Sequence, residues 1–283
     1  WKLLKKELEI EEISIRNATF DTRDFIDGVV VNGHLGELYL ESHGVVFSPE
    51  TARINEFSVK NTDVSLTLEN MEDTDTTTTE PIYWKILLDE IDFENVGFAL
   101  NMPQDSLFVR TMLPKTTLKD GVIDLKEASY YVKSFDMDNA ELAYGPKEEL
   151  SLKKIGLQLD SIYYCGKDIR ANIEEFVLKE RSGLELVSTE GRIVSDSVLI
   201  EIPKFTMKTT ASSLDLQTKI GWDVLEMKKT GVLSAKINAE IGKGDVAKIL
   251  GGRDTLFLQT YPNKPFVFRA DAEGDLNRLR LRT

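Results

Sequence analysis

A single cysteine, Cys165, leaves this 283-residue chain without an internal disulfide or a cysteine metal cluster. The two histidines, His34 and His43, fall short of a three-His metal centre. Both sit in a glycine-rich stretch, Gly33-His34-Leu35-Gly36 and His43-Gly44. Much hydrolase and metalloenzyme chemistry is disfavoured with them, while carboxylate chemistry stays open. No stretch approaches the eighteen or so uncharged apolar residues of a membrane span. The chain starts at Trp1 with neither an initiator Met nor a signal-peptide pattern, which reads as a fragment whose anchor or signal lies outside it. Basic charge is also scarce: 35 basic against 48 acidic residues leave a net charge of -13. A nucleic-acid domain carries a basic face. Here pairs such as Lys5-Lys6, Lys153-Lys154 and Lys228-Lys229 are scattered and diluted, so no nucleic acid is expected and no basic handle for anionic headgroups stands out.

What the chain does have is apolar substance, 41% of residues, and an internal repeat. Residues 13–20 (Ile-Ser-Ile-Arg-Asn-Ala-Thr-Phe) align with residues 91–98 (Ile-Asp-Phe-Glu-Asn-Val-Gly-Phe), at an offset of 78. Residues 54–61 align with 132–139 at the same offset of 78 and without a gap. Between these blocks Val31 falls on Val109, Leu35 on Leu113, Leu40 on Leu118, Val45 on Ile123 and Phe47 on Leu125. A smaller unit, apolar-x-x-apolar-x-apolar-x-Asn, starts at Ile10, Ile54, Leu88 and Val132, with degenerate copies at Ile173 and Ile202.

The unit has a physical reading. Phe57, Val59 and Asn61 share one parity, and hence one face of a strand. The following apolar residues Val64, Leu66 and Leu68 have the other parity, and the same switch follows Asn17, Asn95 and Asn139. Asn tolerates positive φ, so it can sit in a bulge or tight turn that returns the apolar residues to a common face.

Alternation runs along the rest of the chain: residues 38–40, 64–68, 122–125, 150–159, 184–187, 193–202, 214–220 and 232–241 read as half-buried strands. Turn signals at Asp27-Gly28, Asn32-Gly33, Asp120-Gly121, Gly145-Pro146, Cys165-Gly166 and Ser182-Gly183 separate them. One helix is expected near 245–250, with Asp245 as N-cap and Gly251-Gly252 as stop, and residues 1–8 have apolar positions at helical spacing. The Thr-rich stretch 73–80 reads as a solvated loop, and 276–282 as an alternating strand.

Two motifs are decoys. Gly242-Lys243-Gly244-Asp245-Val246-Ala247 matches a dinucleotide fingerprint but lacks a βαβ context. The acidic pairs Glu11-Glu12, Glu148-Glu149 and Glu174-Glu175 are sequence neighbours, which point to opposite faces of a strand and do not oppose each other across a cleft. No catalytic residue, cofactor or metal site is expected, and the chain reads as a non-enzyme.

The repeated Ile-x-Glu-Ile/Phe-x-Ile/Val-x-Asn unit resembles the AsmA-like and TamB-like envelope proteins of Gram-negative bacteria. Residues 205–216 (Phe-Thr-Met-Lys-Thr-Thr-Ala-Ser-Ser-Leu-Asp-Leu) are similar to a recurrent strand pair of TamB-like proteins. Residues 241–250, followed by 272–276, resemble their short-helix-then-strand segment. The resemblance covers about residues 8 to 281. It implies an all-β fold, an elongated and mostly antiparallel sheet of tandem modules curled into a U-shaped apolar groove. One continuous array is expected: a first repeat over 10–87, a second over 88–165, degenerate repeats over 166–241, and a short helix with the start of a further module over 242–283. It also implies a periplasmic protein, anchored in the inner membrane outside this fragment, that carries phospholipid acyl chains between the two membranes. An outer-membrane barrel protein would be met through regions absent here. The groove residues are then Phe57, Val59, Leu66, Leu68, Ile91, Phe93, Phe98, Leu100, Phe135, Met137, Phe176, Leu178, Phe205 and Met207. The residues alone leave two readings of this face, the core of a closed sandwich and the lining of an open groove. An assembly scaffold for outer-membrane proteins and a plain structural β-repeat are the alternative functions.

Overall fold

Three strands make up each copy of the 78-residue repeat. In the computed structural model, β1 (Glu12–Asp24), β2 (Val29–Phe47) and β3 (Glu50–Leu68) recur as β4 (Lys85–Met102), β5 (Leu107–Asp124) and β6 (Ser129–Tyr144). The structure describes residues 11–24, 28–47, 50–69, 83–145, 149–227, 231–251, 253, 255–275 and 277–283. The helix expected over 1–8 and the loop expected over 73–80 lie outside them.

An odd strand count dictates the pairing between the repeats. Three antiparallel strands leave β3 running in the direction of β1. Because β4 repeats β1, β3 and β4 must then pair in parallel, and they do, with Ile54 opposite Leu88, Phe57 opposite Ile91 and Val59 opposite Phe93. Within this first unit, Trp1–Ile155, β1 with β2, β2 with β3, β4 with β5 and β5 with β6 all pair antiparallel.

The asparagines adopt the left-handed conformation, with φ of 52° at Asn17, 50° at Asn61, 54° at Asn95 and 55° at Asn139. They fall in one row across the strands. Arg16↔Glu37 and Ala18↔Leu35 bracket Asn17 and Gly36, and Lys60↔Glu94 and Thr62↔Val96 bracket Asn61 and Asn95. Glu94↔Lys115 and Val96↔Leu113 bracket Asn95 and Pro114. The pairing count does not change across this row, so it is a crease running through the sheet, where the backbone resets in every strand at once. Gly36 is required there: a Cβ would lie 2.4 Å from the Asn61 carbonyl. Pro114 fits where the hydrogen-bond ladder is interrupted, having no N–H to offer. The Asn95 side-chain amide donates to Asn61 Oδ1 at 3.2 Å across the parallel pair.

A second crease explains the three-residue step at the start of the motif. Between Ile54↔Leu88 and Glu56↔Glu90 the ladder is interrupted at Asn55 and Asp89, β2 and β3 shift register at Glu41/Ser42, and Asp120 on β5 has φ of 51°. Asn55 Nδ2 donates to Asp89 Oδ2 at 3.0 Å, and Lys133 Nζ pairs with Asp120 at 2.8 Å. Ile54, then Phe57 and Val59, then Val64, Leu66 and Leu68 alternate within each segment and change parity at each crease. Asn32-Gly33 and Asp120-Gly121 are therefore not turns, as their sequence suggested, but lie inside β2 and β5. Gly33 serves close approach, since a Cβ there would sit 2.4 Å from the Asp63 carbonyl.

The second unit, Gly156–Thr283, holds β8 (Asp168–Glu180), β9 (Glu185–Ser195), β10 (Leu199–Thr209), β11 (Ser213–Gly221), β12 (Leu233–Ile241), β13 (Phe266–Gly274) and β14 (Leu279–Arg282). The unit boundary falls within β7 (Leu150–Cys165). Successive strands from β8 to β14 pair antiparallel in chain order. The degenerate motif at Ile202 carries a bulge at its step: the register of β10 shifts by one residue against β11 between Ile202 and Phe205, and against β9 between Glu201 and Lys204. The turns at Cys165-Gly166 and Ser182-Gly183 are present, with φ of 57° at Gly166 and 86° at Gly183.

The described residues hold three short helices where one is expected among them: α1 (Trp222–Leu225), α2 (Lys243–Leu250) and α3 (Thr255–Thr260). At four and six residues, α1 and α3 are too short to show helical periodicity. Helix α2 ends as expected at Gly251, with φ of 55°. Its start differs from the expectation: Gly242 occupies the N-cap position, and Asp245 lies inside the first turn, where its carboxylate is engaged elsewhere. β13 returns antiparallel to β12, so the glycine-rich motif is not part of a βαβ unit. No helix among the described residues is long and apolar enough to cross a membrane.

Substituting Asn95 by Val is expected to destabilise the chain by about 1–2 kcal/mol, because a β-branched residue is forced into the left-handed region. Asn95→Gly keeps that conformation and should cost less than Asn95→Val. Urea denaturation of both variants checks the ordering; equal losses would argue against a conformational origin.

The apolar face and its surroundings

The creases place the apolar residues of the first unit in continuous rows across the strands. One row runs Ile13, Leu40, Phe57, Ile91, Leu118, Phe135. The next runs Ile15, Leu38, Val59, Phe93, Thr116, Met137. Beyond the Asn crease come Gly33, Val64, Phe98, Thr111, Leu142 and then Val31, Leu66, Leu100, Val109, Tyr144. Leu68 pairs with Val29. Phe57 and Phe93 meet edge to face at 6.2 Å between ring centroids.

In the second unit, Phe205, Leu216, Ile237 and Ala270 form one row, and Met207, Leu214, Ala239 and Phe268 another. Leu178 pairs with Leu186, and Phe176 is half-buried on the same strand β8. The motif thus located Phe57, Val59, Leu66, Leu68, Ile91, Phe93, Phe98, Leu100, Phe135 and Met137 in the rows of the first unit, and Phe205 and Met207 in those of the second. It missed Leu38, Leu40 and Leu118, because β2 and β5 run against the motif direction. Their signal was the 78-residue offset that pairs Leu40 with Leu118.

These rows have little over them. Phe57, Phe93, Phe135, Met137, Phe205 and Met207 are half-buried, Phe98 is 38% exposed, and no large side chain among the described residues is fully buried. The described strands of the first unit form one sheet, and the large side chains of its rows keep part of their surface exposed, unlike the close-packed interior of a sandwich.

Beside the Asn crease lies a row of alternating charge: Arg16, Glu37, Lys60, Glu94, Lys115, Asp138. Arg16 pairs with Glu37 at 3.2 Å and Lys60 with Glu94 at 3.8 Å. Each exposed pair contributes at most about 1 kcal/mol. Their larger effect is on register, because sliding one strand by two residues sets Arg16 against Leu35 or Tyr39 and Glu37 against Ser58 or Thr62 in place of an opposite charge. A hollow of about 720 Å³ also crosses β2 to β7, lined among others by His34, Asp63, Gly97, Met112, Glu141 and Lys153. Asp63 lies over Gly97, where a Cβ would meet its Oδ1. Within each of these strands the lining takes two residues of the polar parity around one of the apolar parity, which sets the hollow over the polar side. No group of three or more His, Cys, Asp or Glu side chains able to hold a metal ion gathers among the described residues.

The most elaborate polar cluster pins α2 to the sheet. Asp245 is 3% exposed and accepts hydrogen bonds from Thr209, from Ser212 at 2.6 Å and from Thr210 at 3.4 Å. Ser212 Oγ accepts from the Gly242 amide at 3.0 Å, and Lys248 Nζ lies 3.8 Å from the carboxylate. The Thr-x-x-Ser stretch and the helix segment are therefore one joint. Burial pushes the Asp245 carboxyl up, but the Ser212 and Thr209 hydrogen bonds, the Lys248 charge and Thr210 outweigh it and hold the group below the ordinary carboxylate range. No protein-family model matches the chain, and no curated protein sequence matches it.

Two outcomes follow from this geometry. Because the folded form of Asp245 ionises more readily than the unfolded form, its stabilisation is present above the unfolded pKa, about 3.9, and is lost as pH falls through the lower folded value. Asp245→Asn should flatten the acid limb of stability against pH, read by thermal unfolding across that range; an unchanged slope would contradict the cluster. Thr116 presents a buried hydroxyl with no hydrogen-bond partner in the row between Phe93 and Met137. Thr116→Val should raise stability by about 1 kcal/mol, measured by urea denaturation.

Proposed function

We propose that the apolar face carries the acyl chains of phospholipids, and that the chain is a segment of an AsmA-like or TamB-like envelope protein of the periplasm. The observation that supports this reading is the pair of creases. They hold the apolar rows of the first unit on one side of the sheet, where the large side chains stay only half-buried. An acyl chain gains about 0.8 kcal/mol per buried CH₂ and needs no polar partner. A lining of Leu, Val, Ile and Phe in repeated rows presents similar contacts at each step, so a tail moves along it over small barriers. The acidic surplus of the chain keeps such a face in solution. On this reading the partners are phospholipids, with an outer-membrane barrel protein met through other regions of the parent protein. No catalytic residue or cofactor is involved.

A second reading, a scaffold for β-strands of outer-membrane proteins, draws on β1. Among the described residues it has one sheet neighbour, and Ile13 and Ile15 are 37% and 41% exposed. Deletion of the parent gene that alters lipid asymmetry while barrel-protein levels stay normal would count against it.

The acyl-chain reading is tested with a fluorescent fatty acid in solution and native mass spectrometry of the purified chain. Binding is expected, with co-purified phospholipid. Phe93→Glu and Leu66→Glu should each weaken binding at least about tenfold, since each removes a few CH₂ contacts and puts a charge in the path. Circular dichroism reports whether the sheet is retained. No lipid, no fatty-acid binding, or unchanged binding in both folded variants would overturn the reading.

A further inference from the structure

The larger of two groups of exposed apolar side chains in the second unit surrounds the connection between β12 and β13; the other holds Val198, Leu225, Met227 and Val232. Ile249 on α2 is 69% exposed, Leu256 and Phe257 on α3 are 76% and 47%, and Phe266 and Val267 at the start of β13 are 51% and 48%. The connection is a built element. Lys243 Nζ donates to the Tyr261 carbonyl at 3.3 Å, Tyr261 Oη donates to the Ile241 carbonyl at 2.8 Å, and Phe257 meets Tyr261 edge to face at 5.8 Å. Its N-terminal end is fixed by the Asp245 cluster.

The charge balance reverses over this same stretch. Residues 243–269 carry five basic side chains, Lys243, Lys248, Arg253, Lys264 and Arg269, against two acidic ones, Asp245 and Asp254, in a chain of net charge -13. Asp245 is buried under Thr209, Thr210 and Ser212, so it offers little negative charge to the surface. Exposed aliphatic and aromatic side chains interleaved with cations are the composition of a segment that lies at a lipid–water interface: the apolar groups enter the acyl boundary and the cations meet anionic headgroups. An acidic protein partner would satisfy the cations but not side chains as exposed as Ile249 and Leu256.

We propose that the helical connection between β12 and β13 seats on the surface of an anionic phospholipid bilayer, with Ile249, Leu256 and Phe257 entering the acyl boundary and Arg253 and Lys264 meeting the headgroups. The position gives this contact a use that rests on the acyl-chain reading. Ile241 pairs with Phe266, and Phe268 belongs to the row of Met207, Leu214 and Ala239, so the apolar face of this unit runs up to the foot of the connection. A bilayer seated there lies next to the rows that would accept a tail.

The test is co-sedimentation of the full chain with vesicles of phosphatidylcholine alone and of phosphatidylcholine mixed with phosphatidylglycerol. Binding is expected to the mixed vesicles and to weaken with added salt. Leu256→Glu with Phe257→Glu should weaken it at least about tenfold, and Arg253→Glu with Lys264→Glu should remove the preference for the anionic lipid. Met227→Glu and Val198→Glu, at side chains 85% and 66% exposed elsewhere in the unit, should bind as the parent does. Failure of the parent chain to bind mixed vesicles, or full binding by the folded Leu256/Phe257 variant, would overturn the proposal. Loss in that variant of a self-association seen without vesicles would overturn it too, by assigning the patch to a second copy. Fatty-acid binding in solution, measured on the same variants, reports separately on the acyl-chain reading and should be unchanged by them.

Discussion

The left-handed asparagine, placed at one level in strand after strand, is the constraint on which the first unit depends. A strand that simply alternated would keep Phe57 and Val59 on one side and send Val64, Leu66 and Leu68 to the other. Half of the apolar residues would then face the charged side. Resetting the backbone at Asn17, Asn61, Asn95 and Asn139 keeps them together. Because all strands reset in one row, neighbouring strands stay in register through the bend. An isolated reset in one strand would instead shift its register against both neighbours, as β10 does at Pro203.

The parallel pairing of β3 with β4 follows from the same economy. It stacks two copies of the motif residue against residue, so their creases coincide and the Asn95 amide finds Asn61. The alternating charge row beside the crease serves the same register from the polar side. Individually those ion pairs are weak. Collectively they distinguish the correct alignment from its neighbours, a role that shows in specificity more than in net stability. The second unit carries a bulge at Pro203 in β10 instead, and adds the Asp245 joint to hold its helical insertion.

Much of this was legible in the residues. The 78-residue offset marks the three-strand repeat, and the parity switch after each Asn marks one crease, because both are periodic signals that accumulate over many positions. The second crease is written in the motif as its three-residue step from Ile54 to Phe57, yet it carries no single diagnostic residue: Asn55, Asp89 and Lys133 occupy it in turn. Asn32-Gly33 and Asp120-Gly121 misled because the same residue types that make turns also permit close approach and left-handed backbone inside a strand. Asp245 was assigned to a helix cap, since its true partners, Thr209 and Ser212, lie more than thirty positions away. The basic character of residues 243–269 disappears in a whole-chain charge count and emerges only once the helices group those residues and bury Asp245.

The three-strand repeat also acts as a ruler. Strands in a sheet stand about 4.8 Å apart, so one copy lengthens the apolar rows by about 14 Å. Because the third strand runs as the first did, each copy is superposed on the next by displacement along the sheet, and its creases fall in line without adjustment. Gain or loss of a whole copy therefore changes reach while leaving the cross-section alone. Gain or loss of a single strand would reverse direction downstream and set every later crease out of line. The length of such a sheet is therefore set in steps of whole repeats.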